Sequence, residues 1–349
     1  AGLLDSWETP SRWSEPEHTT MAIVQRRLVW QVVTQFPILP AAFQLLGTQM
    51  PAADHRLTTL EMAQFVTDGY LRFDALVPDE LNQKLHKELT QLARRKSGME
   101  STFEASLPQT GTPLSACYPD GDAIRELLEL PAVSGIIRSL AGSDPVFDHD
   151  WVHYLRGNTQ HEQHLHVDAV IDTIDPTFDI QLFYFPHDVE AGAGGTRFVP
   201  GSHLRHVRAE GVSRYQHIVG DQNFEGPAGT LLVFHHGLWH AGQKNHSDQD
   251  RVMYKLRLNP REPQVRLWNT NDFDEVHNDY RDHTFAHPRR DSVAEVLRRT
   301  QSWHGEDGRY EQMQHARLWR YLTGDESYDV DYYLTRLEAR AELLSAGNT

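Results

Sequence analysis

Between Val146 and Leu258 the chain reads as a succession of short apolar runs with no helical pattern between them. The runs are Val146 to Arg156, Leu165 to Val170, Ile180 to Pro186, Thr196 to Val199, Thr230 to Phe234 and Arg251 to Leu258, separated by Gly, Pro, Asn and Asp. Short strands punctuated by turn residues bury their apolar faces by closing on one another, so this stretch predicts an antiparallel barrel or jelly roll. Helical signals lie on both sides of it. Thr58-Thr59-Leu60-Glu61 has the form of a capping box, which predicts a helix to about Thr67 and a turn at Asp68-Gly69. A short strand Tyr70 to Ala75 follows, then a helix from Pro78 with Leu81, Leu85, Leu89 and Leu92 on one stripe. Asp122 to Leu130 and Pro131 to Leu140 read as helices, with Gly142 as a stop. Beyond Pro263, helices are expected over Asp291 to Trp303, Tyr310 to Leu322 and Val330 to Leu344, with Gly324 as a stop. Upstream, Ala1 to Glu17 is a polar arm, and Thr19 to Phe36 has the pattern of a helix.

Charge and cysteine content narrow the function classes. A formal net charge of −16 on 349 residues, without a long Lys/Arg run, argues against a nucleic-acid partner. One cysteine, Cys117, rules out an intramolecular disulfide and fits a reducing compartment, so a cytoplasmic location is expected. The first residues lack a basic start followed by an apolar core, so no secretory signal is expected there. Leu28 to Ala53 is free of charges, but Gln31, Gln35, Pro37, Pro40 and Gln44 interrupt it. It therefore reads as a buried helix and loop, and membrane insertion is not expected.

Within the strand-rich stretch, His166-Val167-Asp168 is an H-x-D, and His240 follows 72 residues after Asp168. Residues two apart on a strand share a face, so the imidazole of His166 and the carboxylate of Asp168 are expected to point into one space. A third ligand must come from a distant strand. His240 stands just after the apolar run Leu231-Leu232-Val233-Phe234, where a barrel strand would end. Two histidines and a carboxylate can take one face of an octahedral metal and leave the other open, which suits non-haem Fe(II) oxygenases. Arg251 lies 11 residues beyond His240. A guanidinium there would hold a carboxylate through paired hydrogen bonds.

The segment Gly194-Gly195-Thr196-Arg197-Phe198-Val199-Pro200-Gly201-Ser202-His203 resembles the stretch after the H-x-D strand in the phytanoyl-CoA dioxygenase family of Fe(II)/2-oxoglutarate oxygenases. The order H-x-D, G-G-T-x-x-x-P-G-S-H, distal His and an Arg eleven residues on is similar to that family throughout. Gly226-Pro227-Ala228-Gly229-Thr230 also looks like its approach to the distal histidine, although members often carry an acidic residue where Thr230 stands. The likeness runs roughly from Leu57 to Pro260. It implies a mainly β fold with flanking α: a double-stranded β-helix (jelly roll) core with helices packed on one side. It divides the chain into an N-terminal arm and helix (1–56), an oxygenase domain with its supporting helices (57–263) and a C-terminal helical extension (264–349). The resemblance further implies that His166, Asp168 and His240 bind Fe(II) and that Arg251 pairs with 2-oxoglutarate. O2 would be the second co-substrate, and succinate and CO2 would be released as a small molecule is hydroxylated. Related halogenases replace the carboxylate ligand with Gly or Ala, so Asp168 favours hydroxylation or another oxidation over halogenation. Desaturation, epimerisation, cyclisation or endoperoxidation with the same cofactors is the nearest alternative, and a non-catalytic jelly-roll binding protein is the alternative from another class. The terminal extensions are candidates for a homodimer contact.

Several residues compete for these roles. His161-Glu162-Gln163-His164 has its histidines three apart in a strand-like region, whereas a zinc-protease motif needs them four apart on a helix. His164-Leu165-His166 lacks the following glutamate of a cupin, so His164 reads as a pocket or loop residue. His235 and His236 stand close before His240, and His203 reads as a turn support. Arg257 shares strand parity with Arg251 and is its rival for the co-substrate carboxylate. His153 and Gln181 are candidate 2-oxoglutarate contacts, with a satisfied core role as the alternative. Trp151, Tyr184 and Trp239 are candidate pocket aromatics.

Overall fold

The computed structural model describes residues 55–96, 101–103, 108–168, 175–205, 207, 209–277 and 290–330. By its contacts the chain divides into 1–48 and 49–349, and the described residues all fall in the second unit. The expected helix Thr19 to Phe36 lies outside them, as does the expected helix from Val330 onward apart from Val330 itself.

The element order is α1 (Thr59–Asp68), β1 (Tyr70–Phe73), α2 (Asp79–Lys96), β2 (Ser101–Phe103), α3 (Ala123–Glu129), α4 (Pro131–Ala141), β3 (Val146–Leu155), β4 (Ile180–Phe185), β5 (Thr196–Phe198), α5 (Ala209–Val212), β6 (Gln222–Asn223), β7 (Thr230–His235), β8 (His240–Gly242), β9 (Arg251–Asn259), α6 (Phe273–His277), α7 (Val293–Leu297) and α8 (Gly308–Thr323). A six-stranded antiparallel sheet has the order β1-β7-β4-β9-β3-β2, and a three-stranded one the order β6-β5-β8. Among the described residues helical residues outnumber strand residues, so the mainly β balance is not borne out there.

Strand parity sorts the large sheet into two faces. Ile180, Leu182 and Tyr184 of β4, Leu231 and Val233 of β7, and Val252, Tyr254, Leu256 and Leu258 of β9 share one core with the helices. Phe183 and Phe185, Leu232 and Phe234, and Met253 point the other way, where they meet Phe198 and Phe224. The helices therefore cover one face of the large sheet, and the other face packs in part against the small sheet. The helical side includes residues after Pro263: Trp268, Phe273, Val293, Leu297 and Trp319 belong to the same core as Met62, Phe65 and Val66 of α1.

Local signals explain the entry into this sheet. Thr58 caps α1 in the expected capping box, its side chain accepting from Glu61 N while Glu61 accepts from Thr58 N. Gly69 ends the helix at φ 75°, and a Cβ there would stand 2.4 Å from His203 Nδ1, so neither the conformation nor the space admits another residue. Two expected elements differ. Leu165 to Val170 does not form a strand: within it His166 makes an isolated bridge to His240, and 169–174 lie outside the described residues. The single helix expected over Asp291 to Trp303 is instead α7 followed by a 3-10 segment, Ser302–Asp307. Side chains of α8 intervene at the break: His315 Nδ1 donates to the Leu297 carbonyl and Gln312 Nε2 to that of Arg298.

Candidate metal centre

His166 and His240 face each other as a hydrogen-bonded antiparallel pair. His166 N donates to His240 O at 3.0 Å and His240 N to His166 O at 3.1 Å. This exchange places two residues far apart in sequence side by side, with ring centroids 4.6 Å apart. The P-G-S-H turn holds the approach to His240. Ser202 Oγ donates to Val199 O and accepts from Trp239 N, His203 Nε2 donates to Val66 O in α1, and Gly201 N donates to Asp68 O. The sequence expectation that His203 supports a turn is thereby given a mechanism: the turn bolts the end of α1 to the segment that carries His240.

Each histidine is also fixed in ring orientation. His166 Nδ1 donates to His164 O at 2.9 Å, and His240 Nδ1 to Leu238 O at 2.9 Å. A carbonyl can only accept, so both rings carry their proton on Nδ1 when neutral and present the Nε2 lone pair. Both Nε2 atoms face Asp168, at 3.4 Å from Oδ1 for His166 and 3.3 Å from Oδ2 for His240. Donor atoms of these three residues lie within 4.8 Å of one another, and no other such group of His, Cys, Asp and Glu occurs among the described residues. His240 is buried, while the side chains of His166 and Asp168 are 36% and 20% exposed, so the cluster is open on the H-x-D side. This donor set fits a single divalent transition metal. It combines two neutral imidazole nitrogens held by carbonyl acceptors with one carboxylate, on one side of a locus whose other side is not walled by ligands.

In the metal-free protein burial works to raise the Asp168 carboxyl, but it is outweighed by His240 and His166, which attract and hydrogen-bond the carboxylate once their Nε2 atoms are protonated, and by the nearby Lys255; together they hold the group well below the usual carboxylate range. Burial keeps His240 below its ordinary value. For His166, burial opposes and the hydrogen bond to Asp168 prevails, raising it.

Strand β9 supplies a row of cations on the inner face: Arg251, Lys255 and Arg257, with Met253 among them. Arg251 is buried; its Nε donates to Gly194 O at 2.9 Å and its Nη1 to His153 O at 3.4 Å, and burial lowers its pKa to about 10. Gly194, first of the G-G pair, thus supplies the carbonyl that orients Arg251, and Gly195 passes so close to Phe224 that a Cβ would lie 2.0 Å from its carbonyl oxygen. Arg257 has carboxylate partners instead, with Nη2 2.5 Å from Asp179 Oδ2 and Nε 3.7 Å from Asp148 Oδ2, and its Nη1 donates to the Asp168 carbonyl.

The remaining candidates divide. His153 pairs across the sheet with Met253, on the inner face between Arg251 and Lys255, and burial together with those two cations keeps its imidazole neutral. Gln181 lies opposite Arg257, fully buried. Trp151 pairs with Lys255 on the inner face. Tyr184 does not line the site; its hydroxyl donates to Asn82 Oδ1 of α2, because its strand position points to the helices. Trp239 packs with Tyr215 and Trp303 in a separate small core. His235 and His236 are structural, their Nδ1 atoms accepting from Gly237 N and Asp179 N.

Lys255 was not singled out from the sequence. Its ammonium pairs with Asp168 Oδ2, its side chain is 7% exposed, and it lies 5.5 Å from the centroid of the Phe183 ring. The parity that placed Arg257 beside Arg251 applies equally to Lys255, but a lysine in an apolar strand is read as an exposed face because lysine is so rarely buried.

Fold and site together define a protein with a two-histidine, one-carboxylate centre set against one face of an antiparallel sheet. The family model for phytanoyl-CoA dioxygenase (PhyH) matches residues 65–253, more than half of the chain, and the chain belongs to that family. It is thereby an Fe(II)/2-oxoglutarate-dependent oxygenase-type enzyme, as the sequence resemblance implied. No curated protein sequence matches the chain. Similar solved structures include HygX from Streptomyces hygroscopicus with nickel and 2-oxoglutarate bound (15% identity, 59% of this chain and 88% of that chain, TM-score 0.46). They also include apo EctD from S. alaskensis (18% identity, 58% and 77%, TM-score 0.46) and the α-ketoglutarate-dependent epimerase SnoN from nogalamycin biosynthesis (18% identity, 57% and 79%, TM-score 0.44). No helix among the described residues is long and apolar enough to cross a membrane.

Proposed function

We propose that the chain is a dioxygenase that hydroxylates a small molecule with 2-oxoglutarate and O2, releasing succinate and CO2, on a double-stranded β-helix core. The observation that carries this reading is the orientation of His166 and His240. Two rings locked by backbone carbonyls aim their Nε2 atoms at one carboxylate, beside a sheet face lined with cations. His166, Asp168 and His240 would hold Fe(II). Iron and the keto acid, when bound, supply the oxidising power; the protein's residues bind, orient and shield.

Arg251 is the proposed partner of the distal 2-oxoglutarate carboxylate. Its hydrogen-bonding partners are neutral carbonyls, which orient the guanidinium without neutralising it, whereas Arg257 is paired with Asp179. His153, neutral and beside Arg251, would line the co-substrate's path as a hydrogen-bonding wall. Gln181 lies at the Arg257 end of the row and would face the primary substrate more than the co-substrate. Product analysis separates hydroxylation from desaturation or epimerisation. The test of the shared chemistry is succinate release from iron-loaded protein. Release that requires 2-oxoglutarate and O2 and disappears in Asp168→Ala supports the reading; release that persists in Asp168→Ala overturns it.

A further inference from the structure

The geometry points to Lys255 as the residue that selects an anionic primary substrate, a compound with a carboxylate or phosphate close to the carbon that is oxidised. The inference rests on the proposed oxygenase reading. A buried ammonium is stable only with an anionic or strongly hydrogen-bonding partner. Among the described residues Lys255 has one carboxylate partner, Asp168, and that carboxylate belongs to the metal centre. A divalent ion on Asp168 draws its negative charge away from the ammonium and adds positive charge beside it. Lys255 is then a cation at the edge of the metal centre in need of a new counter-charge.

Its neighbours describe what could supply one. Arg251, four residues back along β9 at the other side of Met253, is the co-substrate's partner in the reading above. Arg257, two residues on, is already matched by Asp179 at 2.5 Å. Lys255 is therefore the inner-face cation left for a second anion. It is flanked across the sheet by Phe183 on β4 and Trp151 on β3. One step along β4, Gln181 is wholly buried, and neither its amide nitrogen nor its amide oxygen has a hydrogen-bond partner among the described residues. A primary amide with both ends unsatisfied on the face that carries Lys255 is a donor and acceptor suited to a polar ligand. An ammonium, an amide and two aromatic walls suit a substrate with an acidic head and an apolar or aromatic body.

The competing role for Lys255 is to hold the second oxygen of Asp168 in place for the metal. The two roles separate in one experiment. The full-length protein is loaded anaerobically with Fe(II) and saturating 2-oxoglutarate, and its visible charge-transfer band is titrated with matched arylalkyl carboxylates, arylalkyl phosphates and the corresponding neutral amides. Wild type is expected to show a saturable shift of the band with at least one acid or phosphate, at about tenfold lower concentration than with its amide. Lys255→Met is expected to keep the band and reduce that preference to under about threefold, with Lys255→Arg recovering part of it. Equal response of wild type to acids and amides, or no response to any of them, overturns the inference without needing a variant. So does a Lys255→Met protein whose metal affinity falls while its acid preference is intact, which is the outcome of the positioning role. Loss of the band on adding acid, reversed by more 2-oxoglutarate, would mean that Lys255 faces the co-substrate, and also overturns it. Absence of any band in wild type would sink the oxygenase reading and this inference together; a band without charge preference sinks the inference alone.

Discussion

Replacing His203 by glutamine should remove a defined part of the protein's acid sensitivity. His203 is 1% exposed; its Nε2–H donates to Val66 O at 3.0 Å, and its Nδ1 is buried with no hydrogen-bond partner among the described residues. A second proton would have to go on Nδ1, creating a buried charge and a donor with no acceptor. Burial, reinforced by His315, accordingly lowers this imidazole from 6.5 to about 3. The unfolded chain therefore takes up the proton first, so stability is held above about pH 6.5 and is lost as pH falls toward 3. Between pH 7 and pH 5 that loss is about 2 kcal/mol from this one residue. Glutamine keeps an N–H at the position of Nε2 and does not titrate. Urea unfolding of the metal-free protein at pH 7, 6 and 5 should show the His203→Gln variant losing about 2 kcal/mol less than wild type over that range. Asp68, which burial pushes up to about 6, acts with the opposite sign in both proteins and cancels in the comparison. An identical pH dependence in the two proteins would show that burial does not hold the His203 imidazole down.

Alanine at His166, Asp168 or His240 should weaken Co(II) or Ni(II) binding by at least about a hundredfold in calorimetry and end succinate release; near-native affinity in any one would remove that residue from the set. Arg251→Ala should raise the 2-oxoglutarate concentration needed for half-saturation by about tenfold or more while leaving metal affinity unchanged. If Arg257→Ala does this instead, the carboxylate partner is Arg257. Gly195→Ala should cost about 1–3 kcal/mol of stability, because its Cβ would meet the backbone carbonyl of Phe224 at 2.0 Å and neither chain can yield as a side chain would. An unchanged melting temperature would show that the backbones at Gly195 and Phe224 are less tightly apposed.

What could be read from the sequence was whatever depends on neighbours along the chain. The capping box at Thr58, the left-handed stops at Gly69 and Gly324, and the strands β3, β4, β7 and β9 all follow local rules of spacing and turn chemistry. Facing was less legible. All six residues of β4 are buried, so no alternation betrays that Tyr184 looks at the helices while Gln181 and Phe183 look at the site. The H-x-D segment reads as a strand, yet Leu165 N donates to the Gln216 side chain while only His166 pairs with His240, so the ladder never becomes continuous. The break after α7 is set by α8 side chains that are distant in sequence. Lys255 is illegible in the sequence for a related reason: its burial depends on Asp168, 87 residues earlier, and nothing local announces that pairing.

His166, Asp168 and His240 are proposed to hold iron with open positions that a keto acid can reach. An anaerobic visible spectrum of the Fe(II)-loaded protein before and after adding 2-oxoglutarate tests it directly. A new metal-to-ligand charge-transfer band, absent in Asp168→Ala, is the predicted result. Bound iron with no band on adding 2-oxoglutarate, or no iron binding at all, would contradict it.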